Sequence, residues 1–248
     1  MGFIEAEGIV LRKYNLSDAD RIVVVLTEKR GLVRGVAHGA KRLKSKFSGS
    51  LEFFSRINLS YFEKEDRELV SIRHTDLLES AFGQLSNPQF FEAFAEIADL
   101  LIRFTPPNER SERLFNMTKH CLKAAIEDPE GVESIRVYFE IWLLKLGGFL
   151  PTWQSCRECL RNLEPSENAA LHLDFQIVCA DCGGGLGPVD KGVRNLFNFA
   201  QKTSPQKFVA AATDMEDHLR SLKEILSRLT DAVLERAPAS GLETGNAL

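Results

Sequence analysis

Four of the five cysteines in this chain form two Cys-x2-Cys pairs, and no other feature limits the possible folds as strongly. Cys156 and Cys159 form the first pair, Cys179 and Cys182 form the second, and nineteen residues lie between them. Two residues between thiolates let one tight turn present both sulfurs to one ion, and two such turns complete a tetrahedral site. Because four protein ligands leave no open coordination position, the pattern predicts one structural zinc ion per chain.

Other interpretations of the cysteines explain the spacing less well. Two disulfides are not expected in a protein of a reducing compartment, and unrelated buried thiols would not be paired in this way. A redox Cys-x-x-Cys pair is expected beside a βαβ pattern, which this segment lacks. His172 lies between the pairs as a possible ligand that the quartet does not require. Cys121 falls on a helical apolar stripe and is interpreted as a small buried residue.

Residues 1–80 have the pattern of an all-β domain. About five short runs of β-branched and aromatic residues alternate with turn formers, which predicts a small closed antiparallel barrel. Glu28 to Gly31 is predicted as a hairpin tip, with Gly31 in a positive-φ conformation. The run from Leu51 to Phe62 is predicted as a long fourth strand.

After Ser80 the apolar period becomes helical. Helices are predicted from Asn87-Pro88 to Thr105, and over residues 111–127, 132–146, 193–202 and 214–236. The predicted divisions are a helical domain at 81–150, a four-cysteine module at 151–188, C-terminal helices at 189–236 packing on the helical domain, and a disordered tail at 237–248. The chain is therefore expected to be an α+β multidomain protein.

A basic segment distinguishes the N-terminal domain from the rest of this chain, whose net charge is -4. Residues 29–51 contain seven Lys and Arg and no Asp or Glu. The candidate phosphate-binding residues are Arg34, His38, Lys41, Arg42, Lys44 and Lys46, with Phe47 or Phe53 as a base-stacking surface. The alternative is a solvated loop whose charges only keep the hairpin soluble. Asp18 and Asp20 with Arg21 are interpreted as a turn with an ion pair.

Several classes of protein are not supported by the sequence. No apolar run reaches the roughly 18 residues of a membrane span, and Glu5 and Glu7 are unlike the start of a signal peptide. No metalloprotease, nucleophile-elbow or phosphate-loop motif occurs. The expectation is therefore a cytoplasmic protein that is not an enzyme, with no small-molecule substrate and no membrane partner.

Several stretches resemble the RecO recombination mediators of bacterial DNA repair. The resemblance covers about residues 3–235 and is most specific in the first 60 residues and around the cysteines. The stretches that carry it are GIVL at 8–11, SDADRI at 17–22, LTEKRG at 26–31, VAHGAKR at 36–42 with Lys44-Ser45, and LGGFLP at 146–151 leading to Cys156.

The resemblance implies an N-terminal OB barrel, a central helical domain and a four-cysteine zinc module. It also implies binding of single- and double-stranded DNA, annealing of complementary strands, and help in loading RecA onto strands coated by single-strand-binding protein, together with the partner RecR. The implied DNA contacts are Lys41, Arg42 and Lys44, with Arg21 and Arg34 beside them. This sequence has His38 where the family often has Lys. A nucleoid-associated place in the cytoplasm follows from this function.

Two other functions are weighed against a DNA-binding mediator. The first is a protein-interaction scaffold with a structural zinc site, in which nucleic-acid contact is incidental. The second is a zinc-containing nuclease or other enzyme acting on nucleic acid, although four cysteine ligands would leave it no open metal position.

Overall fold

A computed structural model describes residues 2–63, 68–106 and 109–236 of the chain. These residues form a mixed α+β protein with a five-stranded N-terminal sheet and six α-helices. Contacts divide the chain into two compact units, residues 1–129 and 130–248. None of the helices in the described ranges is long and apolar enough to cross a membrane.

The N-terminal sheet contains five strands, and each of them pairs with two others. Their bounds are β1 Gly2–Asn15, β2 Arg21–Thr27, β3 Gly31–Ala37, β4 Arg56–Glu63 and β5 Val70–Glu79. The pairing order is β1-β2-β3-β5-β4, and β1 also pairs with β4, so the ring of pairings is closed. The expectation of purely antiparallel pairing is wrong at one place, because β3 and β5 pair in parallel over Gly35–Ala37 and Val70–Ile72.

The interior of the closed sheet is filled by side chains that alternate with outward-facing ones along each strand. The buried cluster consists of Ala6, Val10, Val23, Val25, Val33, Ala37, Phe47, Leu51, Ile57, Leu59, Tyr61, Val70 and Ile72. Where β3 meets β5, a Cβ on Gly35 would come within 2.7 Å of Ile72 Cγ1, so only glycine permits this close approach. The predicted hairpin joins β2 to β3, with Gly31 at φ 59° as expected.

The segment between β3 and β4 consists of consecutive turns and contains the predicted phosphate-binding residues from His38 to Lys46. The predicted fourth strand begins too early, because residues 51–54 form turns and β4 begins at Arg56. Phe54 is fully buried, and its N–H donates to the Val10 carbonyl at 2.8 Å, while Val10 N–H donates back to Ser55 at 3.0 Å. These contacts attach the end of the segment to β1.

The described part of the first unit also contains two α-helices, α1 over Pro88–Phe104 and α2 over Glu112–Glu127. The start of α1 agrees with its sequence signal, because the Asn87 side chain accepts hydrogen bonds from the backbone N–H groups of Gln89 and Phe90. Proline then occupies the first helical position, where no N–H is needed. On the buried face of α1, Phe94 packs edge-on against Phe54 at a centroid separation of 4.7 Å.

Within residues 130–236, the second unit contains four α-helices and a small sheet. The helices are α3 Val132–Leu146, α4 Lys191–Ala200, α5 Pro205–Ala212 and α6 Glu216–Arg236, and the strands are β6 Ala169–Leu171, β7 Ile177–Val178 and β8 Gly187–Val189. The bounds of α3 match the prediction, whereas α5 and the three-stranded sheet β7-β6-β8 were not predicted. Helix α3 is buried nearly all round and brings Glu140 into the interior, where Thr230 of α6 donates a 2.6 Å hydrogen bond to it.

The predicted domain limits stay predictions. In the structure α1 and α2 group with the N-terminal sheet, and α3 groups with the elements that follow it. The predicted tail at 237–248 lies outside the described residues.

Candidate nucleic-acid interface and candidate metal centre

The predicted cations of the basic segment lie on the surface of the first unit. His38, Lys41, Arg42, Lys44 and Lys46 are exposed. Arg21 at the start of β2 and Arg34 in β3 are partly exposed. In the pairing of β2 with β3, Arg21 lies opposite Ala37, the residue before His38. Arg34 lies opposite Val24, further from His38 along the same pair of strands. We define the basic loop as residues 38–46.

Lys41 fixes the basic loop to the turn between β1 and β2. Its backbone N–H donates to the Ala19 carbonyl at 3.0 Å. Its ammonium group donates to the Ser17 carbonyl at 3.1 Å, and Ser17 Oγ in turn accepts from Asp20 N–H at 3.1 Å. The loop backbone is therefore held at a defined position beside the sheet.

Asp20 is a second attachment point for the basic loop. Its Oδ1 accepts a 2.8 Å hydrogen bond from Gly39 N–H, and its Oδ2 lies 2.9 Å from His38 Nδ1. The Gly39 N–H and then His38 lower the pKa of Asp20, because both favour the ionised carboxylate. The predicted ion pair with Arg21 is wrong, because Asp20 instead contacts Gly39 and His38, and sequence analysis did not identify this role of Asp20.

Asp20 is the carboxylate that acts on the basic loop, through its contact with His38 and its charge interaction with Arg42. Within the described ranges, the lysines and arginines of the predicted set form no ion pair, and His38 contacts Asp20 in a pair that is ionic only when the imidazole is protonated. Cations elsewhere in the same unit are paired, as Arg12 is with Asp99 and Lys13 is with Glu52. An unpaired cationic group on the surface is available to a phosphate, whereas a paired one must first lose its partner.

Neither phenylalanine predicted as a base-stacking surface is suited to that role. Phe47 is only 3% exposed and belongs to the interior of the closed sheet. Phe53 is half-buried and packs between the rings of Phe54 and Phe91, at centroid distances of 4.7 and 5.6 Å. The prediction about Phe47 is wrong because the turns of the loop direct this side chain inward as an anchor.

The second candidate site consists of the four paired cysteines in the second unit. The sulfurs of Cys156, Cys159, Cys179 and Cys182 all lie within 4.8 Å of one another. Cys159 Sγ and Cys179 Sγ are 3.9 Å apart. Sulfurs bound at about 2.3 Å to one tetrahedral ion are separated by roughly 3.8 Å. The donor set and its spacing therefore fit a single thiophilic metal ion.

Two thiols of the cluster have shifted pKa values. Burial opposes ionisation of Cys156, but the backbone N–H groups of Cys159, Cys179 and Glu158 stabilise its thiolate and lower its pKa to about 6. Hydrogen bonds to Cys179 and Cys159 raise the pKa of Cys182 to about 12. A divalent ion bound by these sulfurs would favour their thiolate form.

The two cysteine pairs adopt matching turns. Leu160 N–H donates to the Cys156 carbonyl at 2.9 Å, and Gly183 N–H donates to the Cys179 carbonyl at 3.2 Å. Leu160 has φ 60° and Gly183 has φ 63°, so both turns end in the left-handed conformation. Glycine suits this position because of its positive φ and not because space is short, since a Cβ on Gly183 would meet nothing within 4 Å. Leucine fills this position in the first turn although glycine is preferred there.

Further contacts attach the cysteine cluster to α4. Trp153 is 1% exposed, its indole N–H donates to the Phe175 carbonyl at 2.9 Å, and its ring lies 4.1 Å from that of Phe197 in α4.

His172 is not part of the cluster, and its Nδ1 lies 2.8 Å from Asp174 Oδ1. Four cysteine sulfurs at this spacing could hold one metal ion.

Comparison with known proteins links both units to one family. Residues 1–81 match the family model for the N terminal of recombination protein O, and residues 93–241 match the model for its C terminal. The chain is 30% identical to a protein of Koribacter versatilis named DNA repair protein RecO over 71% of each chain. It is also 30% identical to a protein of the same name from Rubrobacter xylanophilus, over 97% of this chain and 94% of that one.

Proposed function

The chain belongs to the recombination protein O family of DNA repair proteins, and on this premise we propose that it is a DNA-binding mediator without catalytic activity. It binds single- and double-stranded DNA, anneals complementary strands and helps load RecA onto strands coated by single-strand-binding protein. The single observation that carries this proposal is the exposed basic loop, whose lysines and arginines form no ion pair within the described ranges.

DNA binding is assigned to Arg21, Arg34, His38, Lys41, Arg42, Lys44 and Lys46. Their ammonium and guanidinium groups neutralise phosphates and release counterions, and the His38 imidazole can donate a hydrogen bond, which gives affinity without sequence preference. The closed five-stranded sheet is proposed to be an OB-type barrel, a fold suited to strand binding. Attachment of the loop at Lys41 and Asp20 supports this role, because a fixed loop loses little conformational entropy on binding.

The metal held by Cys156, Cys159, Cys179 and Cys182 is proposed to be one structural zinc ion. Bound zinc supplies folding free energy and no open coordination position for catalysis. The second unit is proposed to serve as framework and docking surface for the protein partners RecR and single-strand-binding protein, with RecA contacted indirectly. The domain limits 1–80, 81–150, 151–188 and 189–236 are part of this proposal.

An annealing assay tests this function beyond simple binding. We expect the wild-type protein to accelerate pairing of two complementary labelled oligonucleotides by about ten-fold or more, because it reduces phosphate repulsion between them. No nucleotide or added divalent metal should be needed, and both strands should be recovered intact on a denaturing gel. An unchanged pairing rate would contradict the annealing activity, and cleaved strands would instead support the nuclease hypothesis.

Two substitutions of Asp20 separate its role in positioning the loop from its charge. Asp20→Ala removes both acceptors of the loop, so we expect DNA affinity to fall about five-fold as the loop loses its fixed position. Asp20→Asn keeps an acceptor for Gly39 N–H and removes a negative charge, so affinity should stay the same or rise. Fluorescence anisotropy with labelled single strands measures both.

If charge alone governed binding, both Asp20 variants would raise affinity equally, and that result would contradict the positioning role.

The attachment of the basic loop to Asp20 also has a defined pH range. Folding lowers the pKa of Asp20, so the ionised carboxylate stabilises the folded state. This stabilisation is complete above the pKa of an unfolded Asp, about 3.9, and is lost as pH falls through the lowered pKa. The loop should therefore remain attached at neutral pH.

A further inference from the structure

Leu43 lies at the tip of the basic loop with its side chain entirely in solvent. Its exposure of 106% is the largest among the exposed large hydrophobic residues of the described chain. A single exposed leucine on a protein surface is ordinary by itself. Leu43 differs in its immediate neighbours, because Lys41, Arg42, Lys44 and Lys46 surround it in sequence and are all exposed.

The tip is held away from the protein by its own hydrogen bonds. Ser45 N–H donates to the Arg42 carbonyl at 3.0 Å, which makes Leu43 and Lys44 the central residues of a tight turn. A preceding turn closes between Arg42 N–H and the Gly39 carbonyl at 3.1 Å. With Lys41 fixed at one end of the tip and Phe47 buried at the other, the leucine is presented on a supported loop.

An apolar tip flanked by cations matches two parts of a nucleic acid, the outer phosphates and the bases behind them. The cations suit phosphates, which lie at the surface of DNA, and an apolar side chain between them suits the base faces behind the phosphates. Apolar side chains that enter a base step partly unstack it. Phosphate contacts alone cannot do this, because they touch only the backbone.

We propose that Leu43 is a base-contacting wedge, which inserts against unstacked nucleobases while the surrounding cations hold the phosphates. The inference rests on the proposed DNA-binding function and deepens it by adding a residue that touches bases. It gives the mediator a means of opening a base step in a duplex or parting neighbouring bases in a single strand. A strand held in this way exposes its bases for pairing.

Leu16 is a second exposed apolar residue beside the basic loop. It is 47% exposed and lies in the β1–β2 turn, next to Ser17, whose carbonyl binds the Lys41 ammonium group. Its N–H is used inside the turn, donating to the Asp20 carbonyl at 3.1 Å. The turn to which the basic loop is attached therefore also carries an exposed apolar side chain.

The test uses oligonucleotides that carry 2-aminopurine, whose fluorescence rises when it is unstacked. The full-length wild-type protein should raise the signal on binding, and Leu43→Ser should lose most of that rise. Leu43→Ser should also lower affinity about ten-fold, since burial of the side chain against bases is lost. Leu43→Met should behave like the wild type, because methionine is apolar and of similar size. Since Leu43 is fully exposed, neither change should affect folding.

The outcomes separate this inference from the proposed function. If Leu43→Ser keeps both the fluorescence rise and the affinity, the wedge is ruled out while DNA binding stands. If the wild-type protein fails to bind oligonucleotides, both proposals fail. An apolar residue among lysines also suits an anionic membrane surface. Binding to phosphatidylglycerol vesicles that Leu43→Ser abolishes, with an unchanged 2-aminopurine signal, would assign the leucine to membranes and overturn the inference.

Discussion

Reversing three charges in the basic loop should lower the affinity of this protein for single-stranded DNA by at least about 100-fold at moderate salt. The variant is Lys41→Glu, Arg42→Glu and Lys44→Glu in one chain. All three side chains are exposed, so the change would remove three proposed phosphate contacts, together with the Lys41 contact to Ser17, and would add repulsion without disturbing the core. Anisotropy titrations with labelled strands measure the loss, and circular dichroism checks the fold.

A matched variant distinguishes local charge from net charge. Lys202, Lys207 and Arg228 are also exposed, and they lie in the second unit. Replacing these three by Glu changes the net charge by the same amount, so the affinity should fall far less if the basic loop is the binding surface. Equal losses in the two variants would mean that only overall charge matters, and the basic loop would lose its assigned role.

Removing the metal should unfold the four-cysteine module. Cys156 is fully buried and accepts a hydrogen bond from Cys179 N–H at 3.3 Å, so Cys156→Ala removes both a ligand and a packed side chain. We expect bound zinc to fall from one per chain to none, with a loss of stability on the order of 10 kcal/mol in this segment. Metal analysis and hydrogen exchange across residues 153–189 measure these effects.

Cys121 offers the matched control for the cysteine change. It is buried in α2, outside the cluster, and burial raises its pKa, so its thiol stays neutral. Cys121→Ala should keep a full complement of metal and normal exchange in residues 153–189. A Cys156→Ala protein that retained both its zinc and its protected amides would contradict the metal-centre proposal.

Much of the fold could be predicted from local signals in the sequence. Asn87 and Pro88 mark the start of α1 because an amide cap and a fixed φ act within one turn. The cysteine pairs could be recognised because both ligands of a pair come from one short turn. Helix α5 was missed although Ser204-Pro205 gives the same type of start signal, since its eight residues are too few to show a clear apolar period.

Features that depend on distant residues could not be predicted. The contact between Asp20 and His38 joins residues eighteen positions apart, and nothing in the local pattern links them. The parallel pairing of β3 with β5 depends on the path of the chain between them, including the turns after Ala37. The burial of Phe47 could not be predicted, because the neighbouring lysines do not indicate whether a phenylalanine faces solvent or packs into the core.

The salt dependence of binding tests most directly whether the basic loop holds DNA through its phosphates. For wild-type protein with roughly four to six phosphate contacts, the logarithm of the binding constant should fall against the logarithm of salt concentration with a slope of about -3 to -5. The triple reversal at Lys41, Arg42 and Lys44 should make the slope shallower by about 2 to 3. A slope that is the same in both proteins, or near zero in the wild type, would contradict the account.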